Sequence, residues 1–190
     1  MGGLDSRFML SPANPDRIKI AIRSVTTIGT PHQGTLIADL VDHSAELLPF
    51  PHLPFGLASD PLDAVLTKLG ISREGMRELK TEYCQKVFNP TYVDCPNVSY
   101  FSIAGSGRTA FPQTNALFFL FGRYLAARTG EANDGLITTT SAQWGTFDPS
   151  TWPADHADEI GYNLDNILAP PDYPYLAKYD QLLANVAHLV

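Results

Sequence analysis

Two short stretches hold the residue types that hydrolytic chemistry needs. Asn133-Asp134-Gly135-Leu136-Ile137 sets a carboxylate in an Asn-Asp-Gly turn, and Asp155-His156-Ala157-Asp158-Glu159 sets an imidazole on a polar loop further along. A carboxylate beside an imidazole orients the ring and stabilises its charged form, and the ring then takes the proton from a nucleophile. Asp155 and Asp158 are carboxylates near the same ring. Immediate neighbours in sequence rarely reach back to their own ring in good geometry, so Asp134 is the expected partner of His156.

The elements that must position this pair are those of an α/β protein. Leu4 to Leu10 reads as a short helix stopped by Ser11-Pro12, and Arg17 to Ile28 as a buried, β-branched strand turning at Gly29-Thr30-Pro31. Helical spacing runs from Gly34 to Leu48, is broken by Pro49 to Leu57, and restarts at Asp60 with Pro61 in the first turn, ending at Gly70. Ser72 to Val87 predicts one further helix with Met76, Leu79, Tyr83 and Val87 on a stripe. Val98 to Ala104 predicts a second core strand, and Asn115 to Arg128 an apolar helix with Leu117, Phe118, Phe121 and Leu125 facing inward. A short strand follows the Asn-Asp-Gly turn, with Leu136 to Thr140 and Gln143 to Phe147 as the two candidates. Trp144, Trp152 and Tyr162 flank His156 with aromatics, and a closing helix from Asp172 shows Leu176, Tyr179, Leu183 and Val186 on one stripe.

The composition is that of a folded domain: 190 residues, 44% hydrophobic and 17% charged, enough for one core. A net charge of −7 argues against nucleic acid, because nothing in it neutralises phosphates. Residues 1–12 lack a basic segment followed by an apolar one, so no secretory signal is read there, and Ala116 to Phe121 is too short to span a bilayer. Cys84 and Cys95 fit either a disulfide or two free thiols, and their spacing is not a zinc pattern. Ser106, in Gly105-Ser106-Gly107, lacks the five-residue frame that exposes a nucleophilic hydroxyl. His43 and His52 read as surface histidines, and His32 as a brace for a turn.

Two more stretches complete a pattern: Met1-Gly2-Gly3-Leu4-Asp5-Ser6-Arg7-Phe8 and Thr26-Thr27-Ile28-Gly29-Thr30-Pro31-His32-Gln33-Gly34. With the Asn-Asp-Gly-Leu and His-x-Asp-Glu segments, they resemble the lipase branch of the α/β-hydrolases, the triacylglycerol lipases of bacterial and fungal type. In that family a Gly-x-Ser-x-Gly elbow runs into Gly-Leu-x-Ser-Arg. Met1 matches the residue just after the nucleophilic Ser and Gly2 the Gly that closes the elbow. The Ser would sit one position before this sequence begins.

The resemblance implies a partial α/β-hydrolase fold: C-terminal parallel strands with flanking helices, without the N-terminal strands. Residues 1–190 form one incomplete domain, and 34–88 a helical cap or lid inserted within it. The implied function is a lipase or carboxylesterase hydrolysing triacylglycerol or other acyl esters at a lipid–water interface. Asp134 and His156 serve as acid and base, and the backbone N–H of Met1 as half an oxyanion hole. The chain is then a fragment of a longer one, or a product begun at an internal Met, and inactive alone; its buried first strand would lie exposed at a sheet edge. The family is often secreted. The alternative is a non-catalytic α/β domain that binds lipid or a protein partner. In some relatives the residue two after the base helps hold calcium, which makes Asp158 a candidate. The family's other calcium carboxylate is not matched, since Thr114-Asn115 runs into Ala116, Leu117 and Phe118, and no metal is expected.

Overall fold

A computed structural model describes residues 1–18, 21–40, 72–107, 116–162 and 173–187 of the chain. Helix α1, Gly2–Leu10, begins at Met1, whose carbonyl accepts the N–H groups of Leu4 (2.7 Å) and Asp5 (3.2 Å). It ends where Ser11 turns extended, ahead of Pro12, with its N–H on the Arg7 and Phe8 carbonyls. Three parallel strands follow: β1 Ser24–Ile28, β2 Ser99–Gly105 and β3 Thr146–Trp152, in the order β1-β2-β3. Ser24 pairs with Ser99 and Ile28 with Ile103, and on the other side Phe101 pairs with Thr146 before the register slips to Gly105 opposite Trp152.

The central strand is the buried one, as a parallel strand with partners on both sides must be. β1 is shorter than the run of β-branched residues predicts. Residues 21–23 are not strand, and Ile18 donates its N–H to the Met9 carbonyl (2.8 Å), outside the sheet. Nor is β1 fully buried: at the edge of the sheet, only Thr27 of its five residues is sequestered. β3 overlaps the second candidate segment at Thr146 and Phe147 and runs on past it through Asp148 and Pro149. At the other edge of the sheet a missing N–H costs no ladder bond and polar side chains stay wet.

The connections are helical. After β1 come α2, Leu36–Asp39, then α3, Arg73–Arg77, and α4, Thr81–Tyr83, which widens through a π-helical turn, Cys84–Phe88, into α5, Asn89–Thr91. Thr35 caps α2, its hydroxyl accepting the Ile37 N–H, and Ser72 caps α3 through the Gly75 N–H. The single helix expected from Ser72 is broken at Lys80, which is extended (ψ 143°), so the stripe rotates. Met76, Leu79, Cys84 and Phe88 are buried while Val87 is exposed. These residues join Leu4, Ile37 and Ala38 in one core cluster with Phe121 and Leu125 of α6, Ala116–Thr129. The described ends of the expected lid, 34–40 and 72–88, are therefore anchored in the core. Residues 41–71, with His43, His52 and the helix at 60–70, lie outside the described residues, as does Thr114-Asn115.

A second cluster joins Ile103, Trp152, Ala154 and Tyr173 to the last helix, α7, Tyr175–Ala187. Its packed side is Tyr175, Tyr179 and Leu182; of the expected stripe Tyr179 packs there, while Leu176 and Leu183 are exposed. Trp152 takes Tyr179 at 5.7 Å between ring centroids, and Tyr175 meets Tyr179 edge-on at 6.3 Å. Both cysteines are free thiols; Cys84 is buried, which pushes its thiol up to about 11. Among the described residues no helix is long and apolar enough to cross a membrane.

His32 does brace its turn, and from complete burial. Arg7 Nη1 lies 3.3 Å from its Nδ1 and Thr27 Oγ1 2.9 Å from its Nε2, while the Thr27 hydroxyl is 3.3 Å from the Phe101 carbonyl. Because a guanidinium only donates, the ring accepts at Nδ1 and donates at Nε2, and Thr27 passes its proton on to Phe101. Arg7 also stacks on Trp144 (3.4 Å to the ring centroid) and bonds Asn89 and Asp94. Trp144 thus packs against Arg7 and His32, not against His156. The packing contrast predicts that Leu125→Ala costs about 2–5 kcal/mol and Leu183→Ala less than about 0.5 kcal/mol, read from urea unfolding midpoints at unchanged slope.

Candidate active site

The acid turn is built by its own side chains. Asn133 Oδ1 accepts the Gly135 N–H (3.0 Å), and one carboxylate oxygen of Asp134, Oδ1, accepts the N–H groups of Leu136 (2.8 Å) and Ile137 (2.6 Å). Gly135 has φ +94°, and a Cβ there would stand 2.6 Å from Phe118 Cβ, so the turn needs glycine twice over. The Thr35 hydroxyl donates to the Leu136 carbonyl, tying the turn to the segment after β1.

The second oxygen of that carboxylate, Oδ2, is 2.7 Å from Nδ1 of His156. The His156 N–H donates to the Asp134 carbonyl at 2.9 Å, so side chain and backbone both join the two loops. The structure thus brings Asp134 and His156 together. Asp134 is 1% exposed and the His156 side chain 31% exposed. The ring lines a trough of about 430 Å³ along β1, which Met1, Gly2 and Gly3 also line. Met1, the oxyanion candidate, therefore heads α1 at the same trough. Burial opposes charge on the ring, but the charge and hydrogen bond of Asp134, with Glu159 behind them, outweigh it and lift His156 to about 9.

Glu159 is the residue that sequence reasoning missed. It is 2% exposed, and its Oε2 lies 3.5 Å from His156 Nδ1. The carboxylate reaches back because Asp155 caps a tight turn, accepting the Ala157 and Asp158 N–H groups (3.0 and 2.9 Å), and Asp158–Ile160 forms a 3-10 turn. The signal was the three-residue spacing from His156, which such a turn places on one side. Asp158 faces its own loop, with Oδ2 3.4 Å from the Asp155 N–H.

Among the described residues, the grouping whose ligand atoms could share a cation is Asp134, His156 and Glu159, all within 4.8 Å. Asp158 is not part of it. Calcium takes six or more oxygen ligands, and two carboxylates with an imidazole already bonded to one of them do not fit it. Trp152 serves α7, and Tyr162 is exposed. Ser106 lies at the Trp152 carbonyl, with Thr151 Oγ1 2.8 Å from its hydroxyl.

Known proteins resemble this chain in sequence and in fold. The chain is 32% identical over 163 residues to triacylglycerol lipase 2 of Saccharomyces cerevisiae, a match covering 85% of this chain and 44% of that protein. The mature form of Bacillus licheniformis lipase BlEst2 superposes with a TM-score of 0.55 at 27% identity, over 82% of this chain and 55% of that one. The propeptide form of the same lipase gives 0.58 at 24% identity, over 82% and 30%. The chain thus spans less than half of the curated relative and about half of the mature lipase. No protein-family model matches it. These likenesses in sequence and in fold support an α/β-hydrolase of the lipase family.

Proposed function

We propose that this chain carries the acid and base of a serine lipase or carboxylesterase acting on triacylglycerol or other acyl esters. One observation carries it: the 2.7 Å contact between a buried Asp134 and the half-buried ring of His156, on a trough headed by α1. The relatives' names, triacylglycerol lipase and lipase, support the substrate class.

In this reading the nucleophile is a serine placed ahead of Met1, as the resemblance implies. Its hydroxyl attacks the ester carbonyl as the His156 nitrogen turned away from Asp134 takes the proton. That proton goes to the departing alcohol, and water, activated the same way, releases the acyl group. Asp134 keeps the ring in the tautomer that accepts at that nitrogen and stabilises the imidazolium. Backbone N–H groups at the head of α1, Met1 first, stabilise the oxyanion. The insertion over residues 34–88 belongs to this proposal as a lid acting at a lipid–water surface; its middle, residues 41–71, lies outside the described residues.

A fluorophosphonate probe tests the reading. The 190-residue chain stays unlabelled, and a chain extended upstream through Gly-x-Ser is labelled at that serine. Labelling of neither would favour a non-catalytic domain that binds lipid or a protein. In the extended chain, His156→Ala slows labelling roughly 10²–10⁴-fold. Only the neutral ring acts as a base, so the labelling rate rises with pH and levels only above the ordinary imidazole range, because Asp134 and Glu159 raise His156. A rate flat between pH 6 and 9 would remove His156 from the step.

A further inference from the structure

We propose that the pocket between α1 and the segment from Glu78 to Tyr92 binds a quaternary ammonium group, free or carried as the head of a choline lipid. Asp134 and His156 take no part in it, so it stands apart from the ester chemistry.

The pocket has a volume of about 310 Å³, at the small end of ligand sites. Met1, Asp5 and Phe8 reach it from α1, at the four- and three-residue spacing that aligns side chains along a helix. Tyr92 stands edge-on to Phe8, with centroids 4.9 Å apart and planes at 80°, and tilted against Phe88 at 5.2 Å and 49°. Rings turned at such angles make a concave corner and not a flat stack. Tyr83 adds another ring. Burial, then Glu78 and Tyr92, push its phenol up, so these three groups stand close together.

Phe88 already meets the Arg7 guanidinium, 5.3 Å from its centroid, which leaves Phe8, Tyr83 and Tyr92 as the rings for a ligand. Their electron-rich faces attract a cation, and Asp5 and Glu78, both exposed, add two carboxylates to the lining. Among the described residues that line the pocket, none is a lysine or arginine. The cation there is the amino end of Met1, which burial holds below its ordinary value against the pull of Asp5. This lining selects its ligand. Calcium needs more oxygens than two carboxylates supply. A primary ammonium is compact and strongly hydrated, and gives up water reluctantly to reach a ring. A plain alkyl chain gains nothing from the two acids. A quaternary ammonium is weakly hydrated and apolar at its methyls, so the ring faces hold its surface while the carboxylates meet its charge.

NMR titration of the aromatic rings with choline tests the proposal in the unaltered chain. At about pH 9 the amino end of Met1, held below its ordinary value, is uncharged and does not compete. Choline shifts the Tyr83 and Tyr92 resonances saturably. It binds about fivefold more tightly than its neutral isostere, in which a quaternary carbon replaces the nitrogen. Glu78→Gln, at an exposed position, weakens choline binding and leaves that of the isostere unchanged. Phe8→Leu, also exposed, keeps an apolar side chain but removes a ring face, and narrows the preference for choline. Vesicle flotation separates the two sources. Co-flotation with phosphatidylcholine but not phosphatidylglycerol vesicles, abolished by free choline, assigns a lipid head; choline binding without flotation assigns a free ligand. No saturable shift, or equal affinity for choline and its isostere, would overturn the proposal.

Discussion

The double tie between Asp134 and His156 is the constraint on which the site depends. One strut is a side-chain contact of 2.7 Å, the other a backbone hydrogen bond of 2.9 Å, and together they join loops 22 residues apart. Either alone leaves the ring a torsion about which to swing; both together fix its plane. The carboxylate can be buried only because three donors face it, the ring and two amides. Its surroundings follow from that need, from the Asx geometry of Asn133 to the left-handed Gly135 packed on α6.

Much of this was legible in the chain, because Asn-Asp-Gly builds its turn from its own side chains and needs little tertiary help. Strand β2 and helix α6 were legible for a related reason: mostly apolar segments go inside whatever surrounds them. Other features depended on partners that no local pattern encodes. Strand β1 read as a buried type of strand left at a sheet edge, and it lies at an edge; what the pattern did not show is that Thr27 turns inward to serve a histidine. On α7 Tyr179 packs as expected, against Trp152, but Tyr175 and Leu182 take the inward places expected of Leu176 and Leu183. Trp144 went to Arg7 because a buried guanidinium attracts an aromatic face more strongly than sequence distance suggests. Glu159 was hidden by a rule about sequence neighbours that a 3-10 turn sets aside.

The two described histidines show how completely surroundings decide what an imidazole does. His156 has carboxylates at its Nδ1 and holds a proton readily. His32 has a guanidinium at its Nδ1, and burial with that neighbour pushes it down to about 3. It therefore stays neutral, a fixed link from α1 through β1 to the Phe101 carbonyl in β2. Helix α1, whose head lies on the trough, is thereby joined to the sheet whose strand ends frame it.

The π-helical turn at Cys84–Phe88 has a mechanical side. A regular helix advances about 100° per residue, so one residue accommodated in a wide turn resets the phase of everything after it. What comes next is Asn89, whose side chain reaches the His32 carbonyl with its nitrogen and Arg7 with its oxygen, both at 2.9 Å. Trimming the bulge to ordinary pitch would swing that amide off both groups at once. The irregularity thus works as a phase adjuster, and a deletion that looked like tidying would cut a cross-brace on the far side of the core.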